Sequence, residues 1–138
     1  MKIVELKRDL FHYFGKKAFV HCISADYAMG AGIAVPIADR FSLRPILDIQ
    51  GDHSYPDCIF ANGVFNLVTK KNASDKPTYR DLEKSLEKMK VLVKKSGIKD
   101  VAMPRIGCGL DGLEWIKVRE IIEKVFVDTN IDIVVCYL

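Results

Sequence analysis

Two amphipathic stretches, each followed closely by a short β-branched run, set the strongest limit on what this chain can become. Across residues 78–96, Tyr79, Leu82, Leu86, Met89 and Val93 recur at spacings of three and four. That spacing predicts a helix with one apolar stripe. Thr78, with Asp81 three residues on, resembles a capping box, and Gly97 is a natural stop. Residues 114–128 repeat the pattern through Trp115, Val118, Ile122 and Val125. The runs at 101–104 and 131–138 read as strands. Strands alternating with helices imply βαβ crossovers and a largely parallel sheet covered on both faces.

Further strand-like runs lie at 2–6, 18–24, 58–61 and 64–69. Asn62-Gly63 tolerates positive φ at both positions, so the third and fourth strands form an antiparallel hairpin. Residues 30–50 are helical but less regular, with Pro36 and Pro45 expected to bend or restart the helix. The fold class that follows is α/β: a three-layer α/β/α domain with a mixed, mostly parallel sheet of about six strands. At 138 residues the chain is a single domain spanning 1–138.

Composition narrows function mainly by exclusion. Twenty-one Lys and Arg against 18 Asp and Glu leave +3, too weak a balance to argue for nucleic acid by itself. Cys22, Cys58, Cys108 and Cys136 show neither zinc-ribbon nor redox spacing and read as buried free thiols of a reducing compartment. His12, His21 and His53 have no metal-ligand spacing, and His21 in an apolar strand reads as a core histidine. The first residues are charged and strand-like, unlike a signal peptide. No apolar run approaches the length of a membrane span. An intracellular protein, cytoplasmic or nuclear, is expected.

In open α/β sheets ligands bind beyond the carboxyl ends of the strands, so the loops after Leu6, Ser24, Thr69 and Pro104 matter most. Asp9 in the first can accept from an amino group such as adenine's, or cap a short helix. In the second, Gly30 and Gly32 precede helix-forming residues and either cradle a phosphate or make a plain turn. The fourth holds Gly107, Gly109 and Gly112, which formally match G-x-G-x-x-G. Too little chain follows for a second nucleotide-binding half, so a second anion-cradling loop is what survives. Two such loops suit a diphosphate. The third loop begins Lys70-Lys71. These lysines are either solvated, or one is an amine nucleophile activated by burial and a neighbouring like charge. Asp111 can reach the same pocket, and amine plus carboxylate suits attack on an electrophilic sugar carbon. Cys108, between glycines and without a histidine in the second half of the chain, reads as packing.

Together these segments resemble a macrodomain of the terminal ADP-ribose protein glycohydrolase subfamily, also described as O-acetyl-ADP-ribose deacetylases. The resemblance runs through Asp9-Leu10-Phe11, His21-Cys22-Ile23-Ser24, Met29-Gly30-Ala31-Gly32-Ile33-Ala34, Thr69-Lys70-Lys71, Lys76-Pro77-Thr78-Tyr79 and the stretch from Met103 to Asp111. It implies an ADP-ribose pocket with Lys70 as nucleophile and Asp111 as acid and base. It places ligand contacts at Asp9, Leu10, Ser24, Gly30, Gly32, Ile33, Arg105, Ile106, Gly107, Cys108, Gly109, Leu110 and Leu138. It implies no metal and no cofactor beyond ADP-ribose as ligand or product. The substrate expected is mono-ADP-ribose on an acidic side chain of a protein, handled by a monomer. Alternatives are a non-catalytic ADP-ribose reader, or a hydrolase of O-acetyl-ADP-ribose, ADP-ribose phosphate or ADP-ribosylated nucleic acid. Arg8 stands where the family usually has glycine, and residues 41–66, with Ser54-Tyr55-Pro56-Asp57, are shorter and diverged.

Overall fold

The computed structural model describes all 138 residues. Six strands, β1 (Lys2–Lys7), β2 (Ala18–Ser24), β3 (Asp57–Ala61), β4 (Val64–Lys70), β5 (Asp100–Met103) and β6 (Asp132–Tyr137), form one sheet in the order β1-β6-β5-β2-β4-β3. All neighbours are parallel except β3 and β4. The hairpin between them turns at Asn62 (φ 49°) and Gly63 (φ 85°), the double positive φ that a two-residue turn demands.

Side chains alternate along each strand and build a core on either face. Phe19, Ile23, Val64, Val68, Ala102 and Val134 meet α1 (Ala34–Arg40) and α2 (Leu43–Gln50). Val20, Phe65, Leu67, Val101, Met103 and Val135 meet α3 (Tyr79–Ser96) and α4 (Trp115–Phe126). Three layers result, as the alternation of elements predicts.

The caps of α3 are those read from sequence. Thr78 Oγ1 accepts from the Asp81 amide at 3.1 Å, and Gly97 ends the helix at φ 72°. The two prolines act differently from expectation. Pro36 and Pro45 each fall in the first turn of their helix, where a missing N–H costs nothing. The break lies between them, where Ser42 turns left-handed at φ 52°. No helix is long and apolar enough to cross a membrane.

Candidate active site

The parallel strands β1, β2, β4 and β5 end at one edge of the sheet, and the loops that leave it gather there. The end of β4 is irregular. Ile23 pairs with Val68, but Ser24 pairs with Lys70, so Thr69 is skipped. A bulge of this kind re-aims the side chains that follow it. Thr69 is left buried with its hydroxyl unpartnered, and Lys70 is the residue that reaches the loop after β5. Its Nζ donates to Asp111 Oδ1 at 2.9 Å, with the two side chains 15% and 17% exposed. Lys71 is exposed. Lys70, the lysine the resemblance singles out, is thus the sheltered one, but its neighbour is not the like charge expected. It is a carboxylate, at a distance where a proton can pass between the two groups.

Cys22 lies beneath this pair. Its thiol is pushed up to about 12, first by burial and then by the Asp111 charge. Burial also raises the Cys108 thiol, whose sulfur donates to the Ile106 carbonyl at 3.5 Å. All four cysteines are free. Burial thus disfavours the thiolate form at both of the cysteines near the site.

Asp111 rides on a 3-10 turn, Gly109–Asp111. Lys76 Nζ donates to the Leu110 carbonyl at 2.5 Å, and the Tyr79 hydroxyl accepts from the Glu114 amide at 2.9 Å. The loop after β4 thereby holds the loop after β5. Gly107, at φ 72°, packs so closely that an added Cβ would come within 3.0 Å of Leu113. Across the edge, Gly32 sits at φ 61°, and a Cβ there would meet Leu110 at 3.3 Å. The two glycine loops therefore approach each other, with Ile33 and Leu110 exposed at the mouth. Gly30 meets nothing; the left-handed residue beside it is Met29, φ 44°.

The remaining expected positions divide. Ser24 and Ile106 are buried at strand and loop roots, and Leu10 is buried beside β1. Asp9 caps the 3-10 helix Leu10–Tyr13 by accepting from the Phe11 amide at 2.9 Å. Leu138 is 91% exposed. The Arg105 side chain packs against residues of β1 and β6. It lies 4.3 Å over the Tyr137 ring and 3.4 Å from Glu5.

Sequence reasoning missed Asp26. Its Oδ1 accepts from the Ser24 hydroxyl and the Ala28 amide, and its Oδ2 from the Ala73 amide at 2.9 Å. One carboxylate thus ties the first glycine loop to the segment after Lys70. Burial raises its carboxyl, but these hydrogen bonds outweigh that and hold it below the usual range. An aspartate two residues past a strand end was the available signal. Lys76 was singled out only within the Lys76-Pro77-Thr78-Tyr79 segment of the resemblance, without this role. Tyr79 was hidden by its place in the apolar stripe.

Comparison with known proteins agrees with this architecture. The sequence profile of the Macro domain family matches residues 53–122. The chain is 46% identical to the ADP-ribose glycohydrolase OARD1 of Bos taurus over 137 residues, covering 97% of this chain and 90% of that protein. The Homo sapiens protein of the same name is 44% identical over the same span. Among solved structures, Thermosipho africanus DarTG in complex with ADP-ribose superposes with a TM-score of 0.80 at 18% identity, over 98% of this chain and 41% of that one. With half its length matched by the family profile and relatives this similar along nearly all of it, the chain belongs to the Macro domain family.

Proposed function

We propose that the protein is an ADP-ribosyl hydrolase that removes mono-ADP-ribose from acidic side chains, with Lys70 as nucleophile and Asp111 as acid and base. The observation that carries this reading is the Lys70–Asp111 contact at 2.9 Å, half-sheltered at the sheet edge where two glycine loops meet. Names of the curated relatives, ADP-ribose glycohydrolase OARD1, support it.

Asp111 accepts a proton from the Lys70 ammonium as the freed lone pair attacks the anomeric carbon of the distal ribose. The bond from that carbon to the substrate's carboxyl oxygen breaks, and the carboxylate leaves with the electron pair. Water then resolves the lysine adduct, with Asp111 moving the protons. Capture by an amine divides one hard substitution into two easier ones. The diphosphate lies across the loops of Gly30, Gly32 and Ile33 and of Gly107, Cys108 and Gly109. The adenosine end lies towards Asp9, Leu10 and Leu138. No group of three or more His, Cys, Asp or Glu residues is placed to hold a metal, and the scheme uses none. In this reading the protein acts as a monomer, in the cytoplasm or nucleus, on ADP-ribosylated proteins; nucleic acid enters only as a modified substrate.

Calorimetry with free ADP-ribose tests the pocket; about micromolar affinity is expected, near −8 kcal/mol. Gly32→Val or Gly107→Val should abolish it, each also straining its own left-handed loop position. Absence of binding at millimolar ligand contradicts the pocket. Single-turnover release from proteins modified on glutamate, serine or arginine then separates a hydrolase from a reader, which binds without release.

A further inference from the structure

Alternation along β1 calls for an apolar residue where Glu5 stands. Ile3, two residues earlier on the same face, packs into the core beneath α3 and α4. A carboxylate in that row needs partners, and Glu5 has three. Oε1 accepts from the Trp115 indole at 2.8 Å and from the Arg105 guanidinium at 3.4 Å, and Oε2 pairs with Arg119. Burial raises the Glu5 carboxyl, while the bonds from Arg119 and Trp115 outweigh it and keep the carboxyl below its usual range. The group is therefore charged at neutral pH.

The partners are not scattered. Arg105 opens the loop after β5, and Trp115 opens α4, which also carries Arg119. Everything between them, residues 106–114, is the loop that bears Gly107, Leu110 and Asp111. Arg105 is further held over Tyr137, whose carbonyl accepts the Arg8 amide at 2.9 Å.

We propose that Glu5 is a positioning residue: its carboxylate clamps both stems of the loop carrying Asp111 and so sets that group against Lys70. The proposal rests on the hydrolase reading, and it reassigns Arg105 from ligand contact to loop anchor. Glu5 touches neither Lys70 nor Asp111 and acts only through the loop. A displacement of the loop by even part of an ångström is costly, since misplacement by about 1 Å can cost about 100-fold in rate.

The test uses Glu5→Ala, Glu5→Gln and, as control, Glu123→Gln, which removes only the outer partner of Arg119 at 3.2 Å. Amide hydrogen exchange over residues 106–114 and single-turnover release of ADP-ribose are read on each. Glu5→Ala should speed exchange in that loop and slow release about tenfold. Glu5→Gln, which still accepts from Trp115, should fall between, and Glu123→Gln should match wild type. In an Asp111→Ala background, loss of Glu5 should slow release no further, because groups acting as a unit are non-additive. A purely stabilising Glu5 would instead add its effect in that background, and this would overturn the proposal. So would unchanged loop exchange in Glu5→Ala or, should that variant not fold, in Glu5→Gln. If wild type itself releases no ADP-ribose, the hydrolase reading fails, and loop exchange alone decides the clamp.

Discussion

Two polar pairs reach out from β4, four residues apart, and they serve opposite ends. Halfway along the strand, Asn66 faces His21 of β2, with Oδ1 and Nε2 2.6 Å apart. Both are sealed in the core at 0% and 1% exposure. Both Asn66 amide hydrogens donate to backbone, to the Ile59 and Val64 carbonyls. Its oxygen is therefore left to accept from His21 Nε2–H, and His21 Nδ1 stays bare and unpartnered. Burial pushes the ring down to about 4, although the bond to Asn66 opposes this, so the pair is neutral. At the end of the strand, Lys70 and Asp111 lie 2.9 Å apart, and water reaches both side chains. Helices cover the middle of the strand and only loops cover its end. A pair the helices seal can hold strands together but cannot meet a substrate; a pair under loops can exchange protons and accept a ligand.

Removing one member of each pair should break different properties. Asp111→Ala should slow ADP-ribose release by about 10²–10⁴-fold, the usual yield of a positioned acid–base group. Thermal denaturation should barely move, because the partner left behind can still be hydrated. Asn66→Ala should do the reverse. It strands the His21 donor and two backbone carbonyls in the core, at a cost of about 3 kcal/mol, read as a lower urea midpoint. Release per folded molecule should stay within about twofold, or about 0.4 kcal/mol. Lost activity in folded Asn66→Ala would break the division between the pairs.

The sealed pair also predicts a pH dependence. The unfolded His21 ring titrates near 6.5 and the folded one near 4, so the unfolded chain binds more protons in between. His21 therefore costs stability as pH falls from about 6.5 to about 4, and nothing changes from this group outside that window. The loss is about 3 kcal/mol. Comparing urea midpoints of wild type and His21→Gln at pH 7.5 and 4.5 isolates it. Equal pH slopes, or a His21 ring that titrates near 6.5 by NMR, would show that the core is not sealed.

The smallest effect separates neighbours. Lys71→Ala should change release by less than about twofold, or about 0.4 kcal/mol, since Lys71 is exposed and outside the pair.

How much of this the sequence disclosed follows the same division. The α3 and α4 stripes, the caps of α3 and the Asn62-Gly63 turn are local signals, and each is where the residues place it. Lys70 and Asp111 were readable as chemistry because strand-end loops collect at one edge. What stayed hidden depends on contacts across the sheet. The Thr69 bulge that re-aims Lys70 exists only in the β2–β4 register. Asn66 carried no sign that it would meet His21 across β2 and β4. Glu5 gains its partners only when α4 and the loop after β5 fold against β1. Nothing local showed that Arg105 would lie against Glu5 and Tyr137.

The central claim is that Lys70 itself attacks the ribose. Borohydride added during turnover, followed by mass spectrometry of peptides covering residues 64–78, tests it directly. The mechanism predicts ADP-ribose reduced onto Lys70 in wild type and in Lys71→Ala, a larger trapped fraction in Asp111→Ala if resolution needs that carboxylate, and neither adduct nor release in Lys70→Ala. Full release by Lys70→Ala would contradict covalent catalysis and leave a macrodomain that works through bound water.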